Sequence, residues 1–218
     1  MSSGNFKQDL FTQFALVGKA LSNGNRLELL EFLAQGERSV EDLATVSGLT
    51  VANTSRHLQL LRQSGLVLNR KEGLKVFYRI SADDVIELLN ALRRVAGRHV
   101  ADVQKLVDTY LTVKDTLEPG PRDELLARVQ DDLVTVIDVR PAQEYAAGHV
   151  PGAVNIPLSE LEKHLDQFNP EQEIVAYCRG PHCVLAFDAV AMLREKGYKA
   201  RRLQDGYPEW KSAGLPVE

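Results

Sequence analysis

The sequence is poor in the residues that build covalent frameworks and membrane spans. It contains 2 cysteines, 2 methionines and 1 tryptophan among 218 residues, and no apolar run approaches the roughly 18 residues that cross a bilayer. So few cysteines exclude a disulfide-built scaffold and favour a reducing compartment. The first ten residues lack the basic and apolar blocks of a signal peptide. We therefore expect a cytoplasmic protein with no membrane role.

The composition is that of a globular protein, and its charge is unevenly distributed. Hydrophobic residues make up 44% and charged residues 26% of the chain, and its length suggests two domains of about 100 residues each. Residues 1–114 contain 15 Lys and Arg against 12 Asp and Glu, a net of +3, whereas the remaining 104 residues have a net of -7. A polyanionic partner should therefore favour the first half.

The first half begins with a succession of helices. Apolar residues recur at helical spacing at Leu10, Phe14, Val17 and Leu21. This spacing predicts a helix with one apolar face. A second helix, RLELLEFLAQG, is expected to end at Gly36, since glycine favours helix termini. Ser39 and Asp42 resemble a capping box that opens a short third helix, which Gly48 ends.

A helix-turn-helix with a wing follows. Thr50 is expected to cap a polar-faced helix in which Val51, Leu58 and Leu61 point inward. Two alternating strands on either side of a Glu72-Gly73 turn then predict a β-hairpin. The predicted DNA contacts are Thr50, Asn53, Ser55, Arg56, Gln59 and Arg62 on the helix and Arg70, Lys71 and Lys75 on the hairpin. Which short polar groups read bases stays open, and the helix arginines are either phosphate contacts or solvated charges.

The stretch SRHLQLLRQSGLV with its basic hairpin resembles the ArsR/SmtB family of bacterial repressors over roughly residues 10–112. The resemblance implies a homodimer whose interface combines the first helix with a long last helix from Ala82 to Val113. Two recognition helices about 34 Å apart imply an inverted-repeat DNA target. The segment SVEDLATVSG has no cysteine, and the last helix offers His99 and scattered acids only. We expect no metal site and no cofactor.

The second half predicts an α/β domain. Residues 115–121 contain two prolines and a glycine, which predicts a short linker between a first domain at 1–114 and a second at 122–218. The strands LVTVIDV, EIVAYC and KARRLQ alternate with helices, a pattern typical of a mostly parallel sheet. Cys178 follows the strand EIVAY, at the sheet edge where reactive groups of such folds lie.

The position of Cys178 favours a reactive thiolate. Loop amides, the positive end of the following helix and the neighbouring Arg179 all stabilise an anion there. A thiolate attacks sulfane sulfur, peroxides and soft electrophiles, and the same surroundings would stabilise a persulfide.

Four motifs in order resemble the rhodanese family over about residues 121–215: VIDVR, EYAAGHVPGAVNIPL, YCRGPHC and LQDGYPEW. The resemblance implies that Cys178 forms the persulfide. It also implies that Asp138, Arg140, Glu144 and His149 frame the site, for which ion pairs and turn contacts are the expected roles. Single-domain members often have a second, anion-holding arginine where this chain has Cys183. That thiol is either a resolving partner for Cys178 or a small apolar packing residue, and its presence should weaken thiosulfate turnover.

These features together predict a regulator, most simply a repressor, whose rhodanese-like domain senses reactive sulfur or oxidants through Cys178, with or without Cys183. A small sulfur donor or oxidant would be its effector. Two alternatives stay open. One is a sulfurtransferase, and the other is a dithiol site for trivalent arsenic or antimony, although two thiols are fewer than such ions usually take.

Overall fold

The structure is a computed structural model that describes residues 3–109, 128 and 134–218. Its contacts divide the chain into two compact units, Met1–Val85 and Ile86–Glu218. The predicted linker at 115–121 lies outside the described residues. The boundaries predicted for the two domains, 1–114 and 122–218, therefore remain predictions. Within the part of the chain that the structure covers, no helix combines the length and apolar character needed to cross a membrane.

The first unit is a mainly helical fold with a small antiparallel sheet. Its elements are α1 (Ser3–Leu21), α2 (Gly24–Ala34), β1 (Arg38–Ser39), α3 (Val40–Ser47), α4 (Val51–Gln63), β2 (Val67–Glu72) and β3 (Lys75–Ile80). The strands pair in the order β1-β3-β2, and the register runs from Val67 opposite Ile80 to Glu72 opposite Lys75. The predicted winged helix-turn-helix is thereby confirmed.

Capping side chains set the ends of the helix-turn-helix. The Ser39 hydroxyl accepts from the Asp42 amide at 3.1 Å and opens α3, while Gly48 ends that helix in the left-handed region at φ 68°. The Thr50 hydroxyl accepts from the Asn53 amide at 3.3 Å and opens α4. Both caps agree with the sequence pattern.

The buried face of α4 differs from the prediction at one position. Leu58 and Leu61 are buried as expected, but Val51 is 51% exposed and Thr54 is fully buried. Thr54 tolerates burial because its hydroxyl donates to the Thr50 carbonyl at 3.0 Å. The expectation that Val51 faces inward was wrong.

The prediction of a single long helix from Ala82 to Val113 was also wrong. The described part contains α5 (Asp83–His99) and α6 (Ala101–Val107), separated by Val100 in an extended conformation. Gly97 weakens the end of α5, and the Asp102 carboxylate lies in the first turn of α6, where the helix dipole favours it. Residues 110–113 lie outside the described residues.

The α/β part of the second unit is built on a parallel sheet, as predicted. Its elements are β4 (Val134–Asp138), α7 (Ala142–Ala146), β5 (Val154–Asn155), a 3₁₀ helix (Leu161–Gln167), β6 (Glu173–Tyr177), α8 (Val184–Glu195), β7 (Ala200–Arg202) and α9 (Tyr207–Ser212). The strand order is β5-β4-β6-β7, and every neighbouring pair is parallel.

Each face of this sheet buries its own apolar cluster. Ile137, Ile174 and Ala176 point to the face covered by α8 and the 3₁₀ helix, whereas Val136 and Val175 point to the face that packs against Trp210. Side chains buried on both faces explain why the strands read as continuous apolar runs. The two clusters hold β6 rigidly, and Cys178 follows its last residue.

Candidate functional site

The predicted DNA-contacting residues gather on α4 and the β2–β3 hairpin of the first unit. Eight of the nine are exposed and Ser55 is half-buried. Ser55, Gln59 and Arg62 line one cleft together with Asn69 of β2. The Arg62 guanidinium donates to the Asn69 side-chain oxygen at 3.2 Å, so this arginine connects the recognition helix to the wing. Asn69 was missed because a polar residue on a strand has no distinguishing pattern.

The basic side chains of the wing are not equivalent. Lys71 and Lys75 are exposed near the hairpin turn. Arg70 instead forms ion pairs with Glu37 at 2.6 Å and with Glu72, and its guanidinium lies 4.5 Å from the centre of the Phe77 ring. The hydrogen bonds that Arg70 donates to these two carboxylates raise its pKa. Intramolecular partners therefore compete with DNA phosphates for Arg70.

His57 is poorly suited to contact DNA as a cation. Partial burial and then the charges of Arg26 and Arg56 lower the pKa of this imidazole. A neutral ring at pH 7 follows, which attracts phosphate less than a protonated one.

The second candidate site is the loop that follows β6. Cys178 is 2% exposed and packs in the apolar cluster beneath α8, while Cys183 is partly buried and immediately precedes the first residue of that helix. A disulfide joins the two residues, whose Cα atoms are 6.4 Å apart. The Cys183 amide donates to the Gly180 carbonyl at 3.1 Å and folds the intervening residues into a turn. The two sulfurs are thus bonded to each other within one short loop.

Arg179 and Glu144 form a bidentate ion pair beside this loop. The Arg179 guanidinium donates to both oxygens of Glu144 at 2.7 to 3.1 Å, and the Glu144 side chain is 1% exposed. The cation predicted to stabilise the Cys178 thiolate is therefore bonded to a buried carboxylate. It fixes the loop to α7 and offers its charge to the cysteine only in part.

Asp138 and Arg140 form a fully buried ion pair below the loop. The two side chains are 2.6 Å apart, and Arg140 also donates to the Gly148 carbonyl at 2.8 Å. The Tyr177 hydroxyl donates to Asp138 at 2.6 Å. Burial and then the Asp138 charge raise the pKa of Tyr177, so its hydroxyl stays protonated. Tyr177 was missed although it directly precedes Cys178, because its position in an apolar strand suggested packing alone.

His149 lies at the edge of the same region. Its ring stacks on Tyr145 with 3.7 Å between centroids, and its Nε2 is 3.6 Å from a Glu218 carboxylate oxygen. Backbone hydrogen bonds in both directions between His149 and Glu218, at 2.8 and 3.1 Å, hold the last residue against this turn.

The described residues contain no group of three or more His, Cys, Asp or Glu side chains arranged to hold a metal ion. The arrangement around Cys178 is instead suited to thiol chemistry. It combines two sulfurs in bonding contact, a rigid strand end and a turn of backbone amides.

Comparison with known proteins matches both units. The bacterial regulatory protein arsR family matches residues 23–68, and the rhodanese-like domain matches residues 121–213. The HTH-type transcriptional regulator Rv0324 of Mycobacterium tuberculosis is 47% identical over 213 residues, which cover 97% of this chain and 93% of that protein. A sulfurtransferase of Allochromatium vinosum is 29% identical over 93 residues, which cover 42% of this chain and 83% of that protein.

One solved structure adds a similarity to the first part of the chain. The homodimeric winged helix-turn-helix DNA-binding domain Mb0332 from Mycobacterium bovis, determined in solution, is 45% identical. It covers 46% of this chain and 91% of its own, with a TM-score of 0.43.

Proposed function

Since the chain belongs to the arsR-type helix-turn-helix transcriptional regulators that carry a rhodanese-like domain, we propose that its Cys178–Cys183 pair senses reactive sulfur or oxidants. The observation that carries the proposal is the position of the chain's only two cysteines. They are joined across one loop, at the end of a rigid central strand. A bridge over so few residues constrains the unfolded chain less than a bridge that closes a long loop, which favours a switching role over a stabilising one.

The sensing chemistry requires only the two thiols and an effector. The Cys178 thiolate attacks a sulfane sulfur of a polysulfide, which yields a Cys178 persulfide and a polysulfide one sulfur shorter. The Cys183 thiolate then attacks the Cys178 sulfur, which forms the disulfide and releases hydrosulfide. With peroxide, the Cys178 thiol takes up one oxygen to become a sulfenic acid while the rest of the peroxide leaves as water, and attack by the Cys183 thiol on the Cys178 sulfur then releases a second water. Both routes end in the same disulfide.

The DNA-binding half acts as a homodimer on an inverted repeat. The exposed apolar side chains of α1, among them Phe11 and Phe14 at 59% exposure each, support such an assembly because a lone chain gains nothing by exposing them. The exposed polar face of α4 would then enter the major groove, and Lys71 and Lys75 would reach phosphates. We expect a repressor that changes its operator affinity with the state of the cysteines.

The test compares thiol and oxidised protein on one duplex, an inverted repeat selected from random sequences by the reduced full-length chain. Polysulfide treatment should add one sulfur to Cys178 or join it to Cys183, which mass spectrometry detects. The treatment should also change operator affinity about 5- to 150-fold. Cys178→Ser should keep basal binding and lose the response. Cys183→Ser separates the two chemical states, since a response that persists identifies the persulfide as the signal.

The matched control is Ser159→Ala, a similarly small change at an exposed position outside the cysteine loop and α9, which should respond as the native chain does. A Cys178→Ser protein that responds to polysulfide like the native protein would overturn the sensory role.

The similarity to a sulfurtransferase supports a second function, persulfide transfer from Cys178. Thiosulfate:cyanide turnover of the native chain at the rate of an efficient sulfurtransferase would favour that enzyme over the sensor.

A further inference from the structure

An ion pair joins helix α5 to the rhodanese-like fold. The Arg93 guanidinium lies 3.1 Å from a carboxylate oxygen of Glu209 on α9, and it also donates to the Asn90 side chain at 3.0 Å. The Glu209 side chain is 8% exposed and that of Arg93 is 26% exposed. These residues are 116 positions apart in the sequence. The pair therefore connects α5 to the far end of the second unit.

Glu209 also borders the cysteine loop. Its second carboxylate oxygen accepts from the Gly206 amide at 3.1 Å, and a Cβ built on Gly180 would lie 3.7 to 3.8 Å from the two oxygens. The same Cβ would lie 3.9 Å from the Arg93 guanidinium. The carboxylate and its cation thus border the space beside Gly180, a residue midway between the two cysteines, and a side chain there would meet both of them.

The backbone of the loop and that of the α9 start are packed directly on each other. The Tyr207 amide donates to the Cys178 carbonyl at 3.0 Å, and a Cβ on Gly206 would lie 2.5 Å from the Gly180 Cα. Such close packing leaves no slack, so a shift of residues 179 and 180 must displace Gly206 or the Glu209 carboxylate.

The ion pair responds strongly to such a displacement because one of its charges is buried. Burial raises the pKa of Glu209, whereas the charge of Arg93 and then the backbone amides lower it in part. A buried carboxylate that loses its cation is left uncompensated, which is strongly unfavourable. Two geometries of the loop would therefore differ in their interaction with Arg93, as any coupling between sites requires.

We propose that the Arg93–Glu209 ion pair couples the state of the Cys178–Cys183 pair to helix α5. The disulfide holds the loop where Glu209 meets Arg93, and the dithiol or persulfide relaxes the loop and weakens the pair. Helix α5 begins at Asp83 and so extends across the division between the two compact units. This inference rests on the proposed function, for which it names the regulatory contact.

Thermodynamic linkage makes the coupling reciprocal. If oxidation changes operator affinity by some factor, operator binding must change the dithiol–disulfide equilibrium by the same factor. Loss of the Arg93–Glu209 pair should abolish both effects together, whereas a merely structural ion pair would lower stability and leave both effects intact.

The experiment measures operator Kd for the oxidised and the dithiol forms of the full-length chain, on the selected inverted repeat. The native ratio of the two Kd values should be at least about 5, and Arg93→Met and Glu209→Gln should each bring it to about 1. Arg93→Lys should restore part of the ratio. The control is Arg94→Met on the same helix, which should keep the native ratio. Equilibration in glutathione buffers with and without the duplex supplies the reciprocal measurement.

Each outcome decides between the two proposals. A native ratio of at least 5 that persists in both Arg93→Met and Glu209→Gln overturns the coupling and leaves the sensor intact. If the native chain has equal operator Kd values in its oxidised and dithiol forms, with the disulfide confirmed by mass, both the proposed sensory role and the proposed coupling are overturned. If Arg93→Met fails to fold by circular dichroism, Glu209→Gln carries the test, because a neutral amide of the same shape leaves no buried charge.

Discussion

Asp138 organises the buried polar part of the second unit. Its carboxylate accepts from the Arg140 amide and guanidinium and from the Tyr177 hydroxyl, and all three residues are fully buried. The Asn155 side-chain amide donates to the carbonyls of Asp138 and Arg140 at 3.0 Å each. One residue therefore connects β4, β5 and β6 immediately below the cysteine loop. These hydrogen bonds hold the ends of the three strands together.

Asp138→Asn tests this role. The substitution removes the buried negative charge that pairs with the Arg140 guanidinium, so the free energy of unfolding should fall by about 3–5 kcal/mol. Urea denaturation followed by circular dichroism measures the change from the midpoint at constant m value.

The control for this change is Glu171→Gln, since the Lys199–Glu171 pair at 3.4 Å is exposed on both sides. Screening by water leaves that pair with little energy, and the midpoint should hardly move. Equal midpoints for Asp138→Asn and the native chain would show that the buried pair contributes nothing to stability.

At the scale of elements, helix-capping residues and the alternation of apolar and polar residues predicted most of the helices and strands. The Ser39 and Thr50 caps, the Gly48 terminus and the hairpin turn are local signals, and the structure agrees with each of them. Both family resemblances are confirmed by the matches to the arsR family and the rhodanese-like domain.

Elements without a local signal were missed. The strand β5 has two residues and the α9 helix has six, and both are shorter than a hydrophobic period can reveal. The Arg93–Glu209 pair joins residues 116 positions apart, and no spacing rule predicts such a contact. The sequence left Cys183 as either a disulfide partner of Cys178 or a packing residue, because it does not fix the distance between the two Cα atoms.

Gly206→Ala tests the close contact between α9 and the cysteine loop. An added methyl group meets the Gly180 backbone, so the loop or the helix must move. The free energy of unfolding should fall by about 1–3 kcal/mol, as in other overpacked sites. In the reduced protein, the alkylation rate of Cys178 should rise because the displaced loop no longer covers this sulfur.

Gly97→Ala is the matched control for the same glycine-to-alanine change. Nothing lies within 4 Å of its added Cβ, and the residue is inside α5. Alanine favours the helix by roughly 0.5–1 kcal/mol, so this variant should be at least as stable as the native chain with unchanged alkylation. A Gly206→Ala protein that matches Gly97→Ala in both measurements would rule out the packing argument.

At the scale of the whole molecule, the two halves differ in charge and in exposed apolar surface. The net of +3 in residues 1–114 suits a polyanion, while the net of -7 beyond them does not. Exposed large apolar side chains are concentrated on α1, where they include Phe6 at 67% and Leu16 at 47%. An apolar helix face of this kind on a DNA-binding unit fits a symmetric contact between two copies, because an inverted repeat needs two recognition helices.

Charge on this face of α1 should therefore dissociate the assembly. Phe11 and Phe14 pack edge to face with 5.8 Å between ring centroids, and both are exposed. The double substitution Phe11→Glu and Phe14→Glu should give a 24.2 kDa monomer in sedimentation, against twice that mass for the native chain. Binding to the inverted repeat should weaken at least about 100-fold, because one half-site then supplies all of the contacts. Val154→Glu, at an apolar position on β5 that is 48% exposed, is the control and should stay dimeric. A native chain that sediments as a monomer at micromolar concentration, or a double variant that remains a dimer, would show that α1 is not the interface.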